Sequence, residues 1–279
     1  MQVNVTGYTS TPDEIRNWLR ILKQRGIHNL FVMRGNPVGP AKDGVVHFPH
    51  AVDLVRFIRS EFGDYFGIAV AGFPEGHEEC PDYDKSIEYL KEKVDAGADV
   101  IITQMIFDAS VFIRYCSDCR SKGITCPIIP GIMPINSYAQ FRNWARGYPA
   151  GTQQIEERLQ PVRNDDSEVK RIGVEVTRQL LKSLFRSGVR GAYFFTMNME
   201  GAISQILEAM DLGPSHRELP WKQSIDEERR RKESSRPIHW AGRATSYLAK
   251  TIGWDEFPNG RWSDTQSPAY GEDTHYHTR

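Results

Sequence analysis

Cysteine is scarce in this chain. Its 4 residues in 279 are too few for a disulfide scaffold and fit a reducing compartment, with the cytosol as the expected location. An excess of one charge is also missing. With 35 basic and 36 acidic residues and a formal net charge of −1, no field exists that would gather nucleic acid or an anionic membrane, so a metabolite is the expected partner. No run of about 18 apolar residues occurs, and no basic segment followed by an apolar stretch opens the chain, so neither a membrane span nor a signal peptide is expected. Glycine-rich phosphate loops of the dinucleotide and nucleoside-triphosphate types are absent as well.

What is present is a near-regular succession of six strand-then-helix units. The first pairs strand Gln2–Thr9 with a helix opened by Thr11, Pro12, Asp13 and Glu14 and stopped at Gly26. Thr11 suits the cap, Pro12 the first turn, and the two acids the positive helix end. Further strands are expected over His28–Met33, Gly67–Ala71, Asp99–Phe107, Pro127–Ile132 and Gly191–Met197. The intervening helices are expected over Ala51–Phe62, Asp84–Ala96, Ala109–Lys122, Ser137–Arg146, Glu168–Ser187 and Gly201–Met210. The stretch between Arg146 and Asp166 reads as polar and irregular. These strands are apolar without polar alternation, as in a parallel sheet buried on both faces, which excludes an all-β sandwich.

The pattern predicts an α/β fold of the TIM (β/α)8 type, about eight units when closed. About two units are therefore expected to be missing from the front. Residues 1–213 form the expected partial barrel, and 214–279 an extended linker arm. In that arm Glu227–Lys232 reads as a solvated helix face or linker, because acids adjoin its arginines. Trp240, Trp254, Phe257 and Trp262 call for a surface to pack on.

Ligands in such barrels are held at the C-terminal ends of the strands. Arg34-Gly35-Asn36 ends the second strand, where arginine suits a phosphate and glycine a close backbone approach, although a plain turn reads equally well. His77 lies in the loop after the third strand, open to a ligand or to solvent. Gln104 stands near the end of the fourth strand, as a ligand contact or part of a buried network. Gln140 and Trp144 lie one turn apart on the helix after the fifth strand, and core filling is the plainer reading of Trp144. Cys116-x-x-Cys119 falls within a helix, lacks a second pair at ligand spacing, and reads as core packing. His275 and His277 sit at the chain end. No metal site is expected.

The blocks RSEFGDYF (59–66), LKEKVDAGADVIITQ (90–104), GITCPIIPGIMPI (123–135), RPIHWAGRATSY (236–247), WDEFPNGRW (254–262) and SPAYGE (267–272) together resemble the methylenetetrahydrofolate reductase family. The last three are similar to the linker between catalytic barrel and regulatory domain in its eukaryotic members. The resemblance implies FAD as cofactor, NAD(P)H as hydride donor and a folate substrate, with a homodimer or a partner reductase subunit as the assembly. Carried over by position, it implies flavin contacts at Arg34, Gly35, Asn36, Ala51, His77, Lys93 and Ala98. Substrate contacts are implied at Gln104, Gln140 and Trp144.

The chain departs from the family pattern at several of these places. A family general-acid glutamate falls before Met1, Asn36 stands where the family has aspartate, and Asn4 where it has histidine. Ser86 replaces an aspartate, Met199 an arginine and Phe73 a tyrosine. A catalytically impaired paralogue acting as a binding or regulatory subunit is the alternative these departures imply.

Overall fold

Thr11 starts the first helix as its sequence requires. Its hydroxyl accepts the Glu14 N–H at 3.3 Å and the Glu14 carboxylate accepts the Thr11 N–H at 3.1 Å, a closed capping box. The same economy recurs along the chain: Asp82, Asp108 and Ser137 each accept a backbone N–H at the start of the next helix. The computed structural model describes residues 2–35, 44–77, 79–196 and 201–212, and the backbone of 235–238 and 247–250.

In chain order the elements are β1 (Gln2–Thr6), α1 (Pro12–Gln24), β2 (Asn29–Met33), α2 (Ala51–Phe62), β3 (Gly67–Gly72), α3 (Tyr83–Asp95), β4 (Val100–Met105) and α4 (Ala109–Ser121). They continue as β5 (Ile128–Ile132), α5 (Tyr138–Ala145), α6 (Thr152–Leu159), α7 (Asp166–Arg186), β6 (Tyr193–Phe194), α8 (Gly201–Ala209), β7 (Ser235–Ile238) and β8 (Tyr247–Lys250). Strands β1 to β6 form one six-stranded sheet in sequence order, with parallel registers from β1 through β5. Among the described residues this is an α/β fold with an open half-barrel sheet, not a complete TIM barrel, because no pairing joins β6 to β1. Strands β7 and β8 pair antiparallel. The remainder of the expected arm, with Glu227–Lys232, Trp240, Trp254, Phe257, Trp262, His275 and His277, lies outside the described residues.

Two compact units divide the chain: residues 1–132 with 184–193, and residues 133–183 with 194–279. In the first, one sheet face carries Val5, Leu30, Val32, Ile68, Val70 and Ile101 against Ile15, Leu19, Leu54, Val55, Ile58, Ile87 and Leu90 of the helices. Burial of these side chains drives the layering, at about 25 cal/mol per Å² of apolar surface. The other face carries a smaller cluster of Phe31, Ala69 and Ile102, with Met33, Ala71, Ile129 and Tyr193 packed beside it.

Arg59 fastens the α2–β3 turn to the α3–β4 turn. Its guanidinium donates to the carbonyls of Gly63, Phe66 and Gly97 and to the Asp99 carboxylate, at 2.7 to 3.0 Å. Asp99 Oδ2 also accepts the Ile68 N–H at 2.7 Å. Gly97 closes α3 with φ +110°, and a Cβ there would sit 2.8 Å from Arg59 Nε. The Ala98 N–H returns to the Lys93 carbonyl and the Gly97 N–H to that of Val94, a Schellman stop.

In the second unit α7 comes so close to the segment before α5 that a Cβ on Gly173 would meet the Ile135 carbonyl oxygen at 2.5 Å. Thr177 then donates its hydroxyl to the Gly173 carbonyl at 2.8 Å. The stretch expected to be irregular contains α6 and a 3-10 turn over Gln160–Val162. Ile155 and Leu159, four residues apart, are both buried there, a stripe too narrow to stand out among the polar residues although glutamine, glutamate and arginine favour helix. Strand β1 is shorter than expected because the Gly7 and Tyr8 N–H groups turn onto the Arg34 carbonyl. Strand β6 is confined to two residues. No helix among the described residues is long and apolar enough to cross a membrane.

Candidate functional site

The C-terminal end of β2 delivers Arg34. Its carbonyl oxygen accepts the N–H groups of Gly7 and Tyr8 at 3.1 and 2.8 Å, so the backbone beneath the side chain is fixed from β1. Gly35 follows with φ +84° and packs on Thr6, where a Cβ would lie 2.9 Å from the Thr6 Cβ. The guanidinium reaches the loop after β3 and grips Glu79 through both arms, at 2.5 and 2.8 Å. That fork holds the Glu79 carboxyl below the usual carboxylate range and raises Arg34 above its ordinary value.

Glu79 in turn donates its backbone N–H to His77 Nδ1 at 3.1 Å, which makes Nδ1 the acceptor and leaves Nε2 as the ring's donor. The imidazole stands edge-on to Phe73, with ring centroids 4.6 Å apart. Phe73 also faces Lys93, whose ammonium lies 5.8 Å from its ring centre. The Lys93 side chain climbs from the last turn of α3 to donate to the Ala71 carbonyl at 2.7 Å, and enclosure there lowers its pKa to about 8. Beneath them the Phe73 N–H donates to the buried Tyr115 hydroxyl at 3.2 Å.

Arg34, Gly35, His77 and Lys93 are thus joined, through Glu79 and Phe73, into one cluster at the ends of β2 and β3. Ala51 is half-buried at the first position of α2. Ala98 is not brought to the cluster: it lies before β4, at the opposite end of that strand, and is buried in the apolar core beneath the helices. Gln104 is half-buried near the C-terminal end of β4, where the pairing with β5 shifts register between Ile102 and Met105. Thr103 braces that shift, accepting the Gly131 N–H at 3.0 Å and donating to the Gln104 carbonyl at 2.8 Å. Asn36 lies outside the described residues.

Within the second unit, Gln140 and Trp144 share a helix face of α5, both half-buried. The Gln140 N–H is taken by the Ser137 hydroxyl at 3.3 Å, whereas its side-chain Oε1 is buried and accepts nothing. Asn136, before the cap, is 3% exposed, and its Oδ1 is buried without a donor too. Neither Glu79 nor Asn136 is singled out by sequence. The glutamate sits in a loop whose register no periodicity fixes, and asparagine before a helix cap reads as ordinary turn chemistry.

A family model described as "Methylenetetrahydrofolate reductase" matches residues 1–211. The chain belongs to the methylenetetrahydrofolate reductase family. A second model, "MTHFR, SAM-binding regulatory domain", matches residues 216–279. The rice protein named probable methylenetetrahydrofolate reductase (NADH) is 40% identical over 287 residues, covering 95% of this chain and 47% of its own. Methylenetetrahydrofolate reductase 2 of Saccharomyces cerevisiae is 42% identical over 264 residues, covering 88% and 44%. The 5,10-methylenetetrahydrofolate reductase of Escherichia coli is 35% identical over 201 residues, covering 70% and 64%. This chain therefore spans about half the length of the eukaryotic relatives it matches.

Where this methylenetetrahydrofolate reductase family member departs from the family pattern, the structure shows what two of the substitutes do. Asn4 is exposed on β1, opposite Phe31 of β2. Ser86 turns its hydroxyl back onto the Tyr83 carbonyl at 2.7 Å. Met199 lies outside the described residues. Of the paired cysteines, Cys119 is buried in α4, and burial pushes Cys116 up to about 11 and Cys119 to about 12. Both remain thiols at neutral pH; Cys119 fills core, whereas Cys116 is half-buried. Among the described residues no three histidine, cysteine or acidic side chains gather as for a metal.

Proposed function

We propose that this chain supplies the catalytic barrel of a methylenetetrahydrofolate reductase, reducing 5,10-methylenetetrahydrofolate to 5-methyltetrahydrofolate with hydride from NAD(P)H by way of FAD. Residues 214–279 then serve as the linker arm leading into the regulatory region, whose model matches residues 216–279. The observation that carries this reading is the family match over residues 1–211. The donor set at the ends of β2 and β3 supports it: the Arg34 fork, the His77 ring and the Lys93 ammonium suit an anionic, diphosphate-bearing cofactor. FAD, when bound, supplies the carrier that takes hydride from the nicotinamide and returns it to the folate.

The chain's own residues position and exclude. Arg34 grips an anionic group bidentately, Gly35 keeps the backbone close to β1, and Lys93, drawn in under Phe73, sets a positive charge where little water screens it. Gln104 and Gln140 are the amides assigned to the substrate, and Trp144 offers a face on which a planar ring stacks. Purified protein reconstituted with FAD should show the yellow flavin spectrum and bleach with NADH or NADPH under anaerobic conditions. Protein that takes up no flavin would sink the reading for this chain.

A second reading, a paralogue that binds but does not turn over, is favoured by one observation. Ser86 spends its hydroxyl on its own helix, so the carboxylate the family places there has no substitute at that position. Flavin that binds yet resists reduction would select this reading.

A further inference from the structure

We infer that Asn136 is a second amide contact for the ligand that Gln140 binds, its Oδ1 accepting an N–H from the amino-pyrimidinone edge of a reduced pterin. This rests on the proposed folate-reducing function and adds to it a residue for which neither composition nor resemblance gave a role.

The argument begins with hydrogen-bond accounting. A buried acceptor left without a donor costs about 1–3 kcal/mol, and native folds retain few of them. Two such oxygens, Asn136 Oδ1 and Gln140 Oε1, stand one helical turn apart in sequence at the entry to α5. Asn136 Oδ1 is not satisfied by a flip of its own amide. The Asn136 Nδ2 already points to the Pro134 carbonyl at 3.4 Å, and flipping the amide would set two acceptors against each other. The Gln140 N–H is held by the Ser137 hydroxyl. The backbone bearing Asn136 cannot retreat either, because Gly173 of α7 is packed against the carbonyl of Ile135, where even a methyl would intrude at 2.5 Å. The segment is therefore short of donors within the described residues.

The missing partner must bring hydrogen-bond donors. A nicotinamide offers its carboxamide and a flavin ring a single imide N–H, whereas the 2-amino group and N3–H of a pterin put two adjacent donors on one edge. Trp144, one turn beyond Gln140 on the same helix, supplies the flat surface that would bound the same ring.

The test is a ligand double-mutant cycle on the full chain, read by tryptophan fluorescence or calorimetry, without turnover. The probes are 5-methyltetrahydrofolate and its 2-desamino counterpart. Wild type should bind the desamino probe at least tenfold more weakly. Asn136→Ala should bind 5-methyltetrahydrofolate tenfold more weakly than wild type and discriminate between the probes by less than threefold. An Asn136→Ala protein that melts earlier but keeps the full discrimination would overturn the inference, assigning the oxygen to a buried water. Should Asn136→Ala fail to fold, the wild-type comparison still decides: equal affinity for the two probes refutes it. Wild type that binds neither probe would remove the proposed function itself, an outcome distinct from binding without discrimination.

Discussion

Arg34 and Glu79, 45 residues apart, meet through both guanidinium arms and so tie the end of β2 to the loop after β3. Because half of the Glu79 side chain is exposed, the pair contributes little to stability, about 0–1 kcal/mol for such surface bridges. Its larger effect is to occupy the fork that the proposed cofactor requires. Glu79→Gln should leave the melting temperature within about 2 °C and tighten binding of inorganic pyrophosphate or FAD severalfold. Arg34→Gln should weaken both in either background. Affinities unchanged by Glu79→Gln would show that the glutamate does not compete for the fork.

Arg59, Gly97 and Asp99 join two sequence blocks distant in the chain. The arginine of one block satisfies three carbonyls and the carboxylate that caps the other. Lysine has one charged centre and cannot span them. Arg59→Lys should cost about 2–3 kcal/mol by chemical denaturation, as expected for lost hydrogen bonds to a charged donor. Asp99→Asn, which keeps an acceptor for the Ile68 N–H, should cost less. Equal losses in the two variants would refute this division of labour.

Much of the fold was legible because its signals are local. Thr11 marks a helix start, Gly26 marks a stop, and apolar runs without alternation mark parallel strands. Helix α6 was not legible, since only Ile155 and Leu159 betray its buried side. At the site, Arg34 and His77 were visible as chemistry at strand ends. Their junction through Glu79 was not, because loop geometry decides it and no period constrains a loop. Ala98 was assigned to the flavin side by resemblance alone, and the chain places it in the core instead of among the polar groups.

Gly173 sets the approach of α7 to the segment carrying Asn136. With the Ile135 carbonyl oxygen 2.5 Å from any added Cβ, Gly173→Ala must push backbone apart, and the gain in helix propensity, about 1 kcal/mol, does not offset it. A net loss of about 1–3 kcal/mol is expected, as for overpacking in a core. Gly173→Ala that melts at or above the wild-type temperature would refute the close approach.

Lys93 gives the stability curve a signature in alkali. Its folded pKa of about 8 lies below the ordinary 10.5 because burial disfavours the ammonium. Between those values the unfolded chain binds more protons than the folded one, so stability from this group rises with pH through the window and is lost as pH falls toward 8. Below 8 the penalty is fully present, at most about 3 kcal/mol and less to the extent that the half-buried side chain meets solvent. Lys93→Met removes the penalty together with the bond to the Ala71 carbonyl, worth about 1 kcal/mol. The variant should therefore melt higher than wild type at pH 7, and the gap should close or reverse by pH 10. Parallel stability curves for the two proteins from pH 7 to 10 would mean that Lys93 is solvated in the folded state, and the cation assigned to the cofactor site would then be an ordinary surface lysine.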